Sequence, residues 1–203
     1  MSRRWWSCRR PAGRVLSTVA AAAVLLLTAS GCSSVHGLRS AGDKGYVSGN
    51  SSVRTIPVAD RREPVTLSGK DLDGKPITLE SLRGKPTVVN VWGSWCADCH
   101  KEQPDVVAAA KRLGSKASFV GIDSRDAGTA QARAYTRRYG ITWPSFFSPG
   151  GEALLAFPGV IGPNSIPSTI VLDAQGRPAA AINGTVPSTL TLVQMVQDVI
   201  SGG

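Results

Sequence analysis

The sequence predicts an α/β domain: a central mixed sheet flanked by helices, with an N-terminal β-hairpin and an inserted helical segment. Three observations carry that expectation. Thr87-Val-Val-Asn-Val-Trp92 is an apolar, β-branched run of the kind that fills the centre of a sheet. From residue 61 onward, strand-like runs alternate with helix-like ones, the pattern of helices packed on a sheet. The 203 residues, 42% apolar and 18% charged, suffice for one domain and a leader.

The leader comes first. Residues 1–31 read as an export signal, with Arg3, Arg4, Arg9, Arg10 and Arg14 ahead of an almost wholly small and apolar run over residues 15–29. That run is short for a membrane span of about 20 residues. Ala29-Ser30-Gly31-Cys32 resembles a bacterial lipobox, with Ala29 where Leu is usual, which implies lipidation of Cys32. An ordinary cleaved signal or an uncleaved anchor is the alternative. Ser2-Arg3-Arg4-Trp5-Trp6 is only faintly similar to a twin-arginine signal. Residues 32–60 are rich in Ser, Gly and Asn and lack periodicity, so they read as a flexible tether. Residues 61–203 form the expected domain.

The net charge of +9 is largely a property of the leader, whose five arginines face no acid; 18 basic residues remain against 14 acidic ones. No basic stripe interleaved with aromatics follows, so nucleic-acid binding is not expected.

Within the domain, Asp71-Leu-Asp-Gly74 suggests a hairpin turn at Asp73-Gly74. Ser81-Leu-Arg-Gly84 suggests one short helical turn. The central strand leads into a helix over residues 96–113, with Pro104 expected to kink it. Residues 117–122 read as a second strand and residues 129–139 as a helix ended by Gly140. Residues 141–165, with Pro144, Pro149, Pro158 and Pro163, read as loop containing a short helix near 152–157. Strands near 168–172 and 178–182 and a helix over 188–200 complete the pattern.

The chemistry-bearing stretch is Trp95-Cys96-Ala-Asp-Cys99-His100, where the central strand becomes a helix. The spacing puts Cys96 at the helix N-terminus and Cys99 one turn on, on the same side. Unpaired N–H groups and the helix dipole favour a thiolate at Cys96. This is the layout of a dithiol/disulfide exchange site. The other two cysteines, Cys8 and Cys32, lie outside the domain, and no second CxxC or His pair completes a metal tetrad, so no metal is expected. Cys96 to His100 also satisfies the C-x-x-C-H pattern of covalent haem attachment, so the motif alone stays ambiguous.

Several separate stretches carry a family resemblance. Residues 71–86 form a hairpin segment, Val89-Asn-Val-Trp-Gly-Ser-Trp-Cys-Ala-Asp-Cys99 a strand with its cysteine pair, and Lys101-Glu-Gln-Pro104 the helix after it. Tyr139-Gly-Ile-Thr-Trp-Pro144 and Ile166-Pro-Ser-Thr-Ile-Val-Leu-Asp173 follow. In these the chain resembles the TlpA-like/ResA-like group of thioredoxin-fold, extracytoplasmic thiol-disulfide oxidoreductases, over about residues 61–200. The resemblance implies a thioredoxin fold and a cis bond at Pro167, beside Cys96, with the Ile166 backbone presented to a substrate chain. It implies that Asn90 stands where cytosolic thioredoxins carry a buried Asp, and that Glu102 takes the related proton-transfer role at Cys99. The plain alternative for Glu102 is a solvated helix residue. Trp95 would pack by the sulfurs and Trp92 beneath the site. Ala97 and Asp98 would set the potential, the Asp98 carboxylate disfavouring the Cys96 thiolate. His100 is expected to be an exposed helix residue.

The resemblance implies a monomeric protein-disulfide reductase with no cofactor, lipid-anchored at the outer face of the cytoplasmic membrane. Its substrates would be exported protein disulfides, apocytochrome c among them, and its electron donor a membrane thiol carrier of the CcdA/DsbD type. A disulfide-forming oxidase is the main alternative. A c-type cytochrome and a non-catalytic tethered binding module are remoter ones: the buried strand before the motif and Pro104 after it argue against the first, the intact CxxC and Pro167 against the second. Nothing matches the Thr-x-x-Cys arrangement of a peroxidase.

Overall fold

A computed structural model describes residues 47–48 and 51–202. The leader, Cys32 and most of the expected tether lie outside the described residues. The elements in chain order are β1 (Val47–Ser48), β2 (Ser51–Thr55), β3 (Ser68–Lys70), β4 (Pro76–Thr78), β5 (Thr87–Trp92), α1 (Ala97–Leu113), β6 (Ser118–Ser124), α2 (Thr129–Tyr139), β7 (Ser145–Ser148), β8 (Ser168–Leu172), β9 (Pro178–Asn183) and α3 (Thr189–Ile200).

Strand β5 lies inside a mixed seven-stranded sheet of order β1-β2-β9-β8-β5-β6-β7. It runs parallel to β6 and antiparallel to β8. Its apolar character follows from burial on both faces. On one face Val88 packs with Val106, Ala109 and Leu113 of α1 and with Leu192 and Val196 of α3. On the other, Val89 and Val91 pack with Leu154, Phe157 and Ile170. Each fully buried valine contributes roughly 1.5–3 kcal/mol. Three of them amount to a large part of a typical domain's net stability, so the strand that carries the site is firmly held.

Strands β3 and β4 form the expected hairpin, paired from Ser68↔Thr78 to Lys70↔Pro76. Its turn is closed by Asp71, whose Oδ1 accepts from the Asp73 and Lys75 N–H groups at 2.9 and 2.8 Å. Gly74 sits at φ +81°, where a side chain would be strained.

Two expectations need correction. The sheet begins inside the stretch read as tether: Ser52 to Thr55 pair with Asn183 to Ala180 of β9, and residues 58–60 form a 3₁₀ turn. Among the described side chains of that strand only Val53 is buried, so its place comes from backbone pairing rather than from an apolar pattern. The loop-rich stretch also contains a strand, β7, which pairs parallel with β6 from Gly121↔Ser145 to Ser124↔Ser148. The expected short helix beside it is a 3₁₀ segment, Glu152–Ala156.

Helix α1 holds Pro104 in its interior and runs on to Leu113. Helix α3 is capped by Ser188, whose Oγ accepts from the Thr191 N–H at 3.1 Å. Its first residue is fastened to α1, since Thr189 N donates to Asp105 Oδ1 at 2.9 Å.

Candidate active site

The end of β5 delivers the chain into a tight turn, Gly93-Ser94-Trp95-Cys96. Gly93 is required there: a Cβ would come within 2.6 Å of Trp95 Nε1 and 2.9 Å of the Ser124 carbonyl oxygen. Cys96 N closes the turn by donating to Gly93 O at 3.1 Å. Cys96 then caps α1, its sulfur accepting from the Cys99 N–H at 3.1 Å. The helix N-terminus thus favours negative charge on that sulfur.

Cys96 and Cys99 are joined by a disulfide, with Cα atoms 5.2 Å apart. The pair is asymmetric: Cys96 keeps 5% of its surface and Cys99 none. The Ile166–Pro167 peptide bond is cis, and Ile166 packs against the cluster that holds both cysteines, Trp92 and Tyr135. Trp92 is fully buried and stacks on Tyr135 with ring centroids 4.4 Å apart. Trp95 is 54% exposed, its indole N–H donating to Ser124 O at 3.1 Å.

Glu102 is buried one turn beyond Cys99. Its Oε1 accepts from Asn90 Nδ2 at 2.9 Å, and its Oε2 from Val186 N at 2.7 Å. Asn90 also donates to Thr169 Oγ1 at 3.2 Å, across the β5–β8 pair. Burial pushes the Glu102 carboxyl up to about 7, against the lowering effect of those two hydrogen bonds. A solvated Glu102 does not fit this geometry. Asp98 is exposed and pairs with Lys101 at 2.7 Å. So wet an ion pair is worth little.

His100 is not the exposed residue expected. Its Nε2 lies 2.8 Å from Ser94 O and its Nδ1 2.8 Å from the Tyr139 hydroxyl. A carbonyl only accepts, so Nε2 carries the proton, and in the neutral ring Nδ1 accepts from Tyr139. Tyr135 donates to the Cys99 carbonyl at 2.9 Å. No sequence signal ties position 100 to residues 39 positions downstream.

Asp123, in β6, and Asp126, just beyond it, are two acids that no sequence motif marks. Asp126 accepts from Ser94 N at 3.0 Å and from Ser94 Oγ at 2.6 Å. Asp123 is wholly buried, and neither oxygen accepts a hydrogen bond. Burial, and after it the neighbouring Asp126 carboxyl, push the Asp123 carboxyl up to about 9.

A disulfide between a helix-capping cysteine and a buried partner, beside a cis-proline on a mixed sheet, defines a redox protein of the thioredoxin fold. The chain belongs to the Redoxin family, whose model matches residues 57–198. It is 29% identical over 115 residues to thiol-disulfide oxidoreductase ResA of Bacillus thuringiensis subsp. konkukian, covering 56% of this chain and 64% of that protein. The chain therefore spans somewhat less than two thirds of that relative. Thioredoxin-like protein YneN of Bacillus subtilis is 27% identical over 127 residues, covering 62% of this chain and 72% of YneN. Among solved structures, a DsbF homologue from Corynebacterium diphtheriae superposes with TM-score 0.68 at 29% identity, over 75% of this chain and 96% of that one. A secreted thiol-disulfide isomerase from Corynebacterium glutamicum gives TM-score 0.69 at 26% identity, over 79% and 99%.

Proposed function

We propose that this chain is a thiol-disulfide oxidoreductase, acting outside the cytoplasm as a reductant of disulfides in exported proteins. The observation that carries the reading is the asymmetric pair: Cys96 at the surface end of α1, Cys99 fully buried one turn behind it, and the cis Ile166–Pro167 bond alongside. The dithiol form starts the cycle. Cys96 thiolate attacks one sulfur of a substrate disulfide, and the other substrate sulfur leaves as a thiolate. The Cys99 thiol gives its proton to the Glu102 carboxylate. Cys99 sulfur then attacks Cys96 sulfur and expels the second substrate thiolate. Two electrons have passed to the substrate, and the Cys96–Cys99 disulfide is left.

Glu102 suits that proton transfer because a carboxyl titrating near 7 is present in both forms at neutral pH. Asn90 orients it through Oε1. The substrate segment lies in the groove between Trp95 and Pro167, pairing with the Ile166 backbone. Asp98 supports the reducing direction by opposing the Cys96 thiolate, and Ala97 tunes it further. Both His100 nitrogens are engaged within the fold, which speaks against the haem-ligand reading.

The leader supports export, as does the description of the Corynebacterium glutamicum relative as secreted. Among the described residues no helix is long and apolar enough to cross a membrane. In this reading the anchor is lipidated Cys32, electrons arrive from a membrane thiol carrier of the CcdA/DsbD type, and the protein acts as a monomer. Apocytochrome c is the substrate we favour. The test is Cys99→Ser, which removes the resolving sulfur. It should accumulate mixed disulfides through Cys96 with exported proteins, released by dithiothreitol; an absence of reducible adducts would rule out the exchange cycle.

A further inference from the structure

We propose that the turn Ser124-Arg125-Asp126 is a brace that sets the substrate groove, with Arg125 and Asp126 as positioning residues for its two walls. The inference rests on the exchange reading and adds the element that holds the groove's parts in register. Ser124, Arg125 and Asp126, at and just beyond the end of β6, reach two separate pieces of the site. The Ser124 carbonyl accepts from the Trp95 indole N–H at 3.1 Å. The Asp126 carboxylate takes both Ser94 donors, N–H at 3.0 Å and hydroxyl at 2.6 Å. The Arg125 guanidinium crosses to the other wall: its Nη2 donates to Pro163 O at 3.3 Å and to Asn164 Oδ1.

Those last two acceptors stand just ahead of the cis bond. The loop they belong to is itself tightly folded, with Ser165 N donating to Gly162 O at 3.1 Å and Ile166 N to Asn164 O at 3.0 Å. A pull on Pro163 and Asn164 is therefore transmitted to the Ile166 backbone, which the substrate pairs with. One wall carries Ser94, Trp95 and Cys96; the other carries Ile166 and Pro167. Arg125 and Asp126 hold them from one turn.

The backbone supports the same conclusion. Arg125 is the only non-glycine residue with positive φ, at 65°, among the described residues. That conformation costs a non-glycine residue free energy, and such outliers persist where the surroundings over-determine them. Here Arg125 N donates to Ser148 O at 3.2 Å, and the side chain runs over Gly151, where an added Cβ would lie 3.4 Å from Arg125 Nε. A glycine at position 125 would relieve the strain. The side chain's tie across the groove is what a glycine cannot supply.

The experiment follows from that contrast. Arg125→Gly removes the tie while easing the backbone, so a merely structural role predicts a protein at least as well folded and equally active. The brace predicts selective damage. For a peptide disulfide long enough to pair with Ile166, KM should rise about tenfold relative to its change for a small aromatic disulfide, the equivalent of about 1.4 kcal/mol of lost docking. Arg125→Lys, which can reach one acceptor, should fall between the wild type and Arg125→Gly. Asp126→Asn, which offers Ser94 one acceptor in place of two, should slow reduction of both disulfides, since it loosens the turn that carries Cys96. Equal KM changes for the two disulfides in Arg125→Gly, or none, overturn the brace. A wild type inert towards both disulfides overturns the exchange reading instead. Amide exchange then decides the brace on its own: faster exchange at residues 165 and 166 in Arg125→Gly supports it, and unchanged exchange overturns it.

Discussion

Replacing Glu102 with Gln tests whether burial is what makes this carboxyl a proton acceptor for Cys99. The wild-type carboxyl moves from its ordinary 4.5 to about 7, with burial as the leading cause. At about 1.4 kcal/mol per pKa unit, that corresponds to about 3 kcal/mol. The sign follows from proton binding. Between those two values the folded state holds a proton that the unfolded state releases, so folding stability from this group is full below 4.5 and lost as pH rises through 7. Gln carries no such titration. It also presents an amide N–H to either Asn90 Nδ2 or Val186 N, both donors, at a cost of about 1–3 kcal/mol. That cost does not vary with pH, so it drops out of the slope. Denaturant unfolding of the oxidised proteins between about pH 4 and about pH 8 should therefore show the wild type losing about 3 kcal/mol more than Glu102→Gln. The comparison cancels the contribution of Asp123, which is common to both proteins. In the exchange reaction, loss of a general base should lengthen the life of the Cys96 mixed disulfide about 100-fold. Parallel stability profiles together with an unchanged mixed-disulfide lifetime would refute the reasoning.

Two further outcomes follow from the same geometry. Asp123→Asn should flatten the pH dependence of stability between about 4 and about 9, because the wild-type carboxyl is pushed up to about 9 and its contribution is lost as pH rises through that value; unfolding midpoints across the range check it. Gly93→Ala should destabilise the fold by about 1–3 kcal/mol and slow exchange, since its Cβ would press on Trp95 and on the Ser124 carbonyl, and a thermal melt with a disulfide-reduction assay reads both effects.

The parts of this protein legible in the sequence are those with local causes. The β-branched run of β5 is apolar because both faces of the strand are covered, and Gly140 ends α2 because it sits in the left-handed region. The cysteine pair is readable because its spacing alone puts both sulfurs on one side of a helix start. The sequence is silent where a residue's role depends on a distant partner. Strand β2 hides in a polar stretch since, among its described side chains, Val53 alone turns inward, and the strand is held by backbone pairing with β9. Strand β7, Ser-Phe-Phe-Ser, is masked by the prolines on either side, which punctuate more loudly than four residues can pattern. His100 looks like a surface helix residue until Tyr139 folds over it, and Asp126 looks like loop until its carboxylate meets Ser94. Arg125 gives no signal at all, because a positive φ outside glycine has no composition mark.

The central claim is that Cys96 and Cys99 form an exchange couple poised to donate electrons. Its most direct test is the reduction potential of the pair, titrated against a glutathione or dithiothreitol series with the fraction of disulfide followed at each ratio. An electron-donating pair should give a value near that of thioredoxin, about −270 mV. A value near that of DsbA, about −120 mV, would contradict it and make this protein an oxidant.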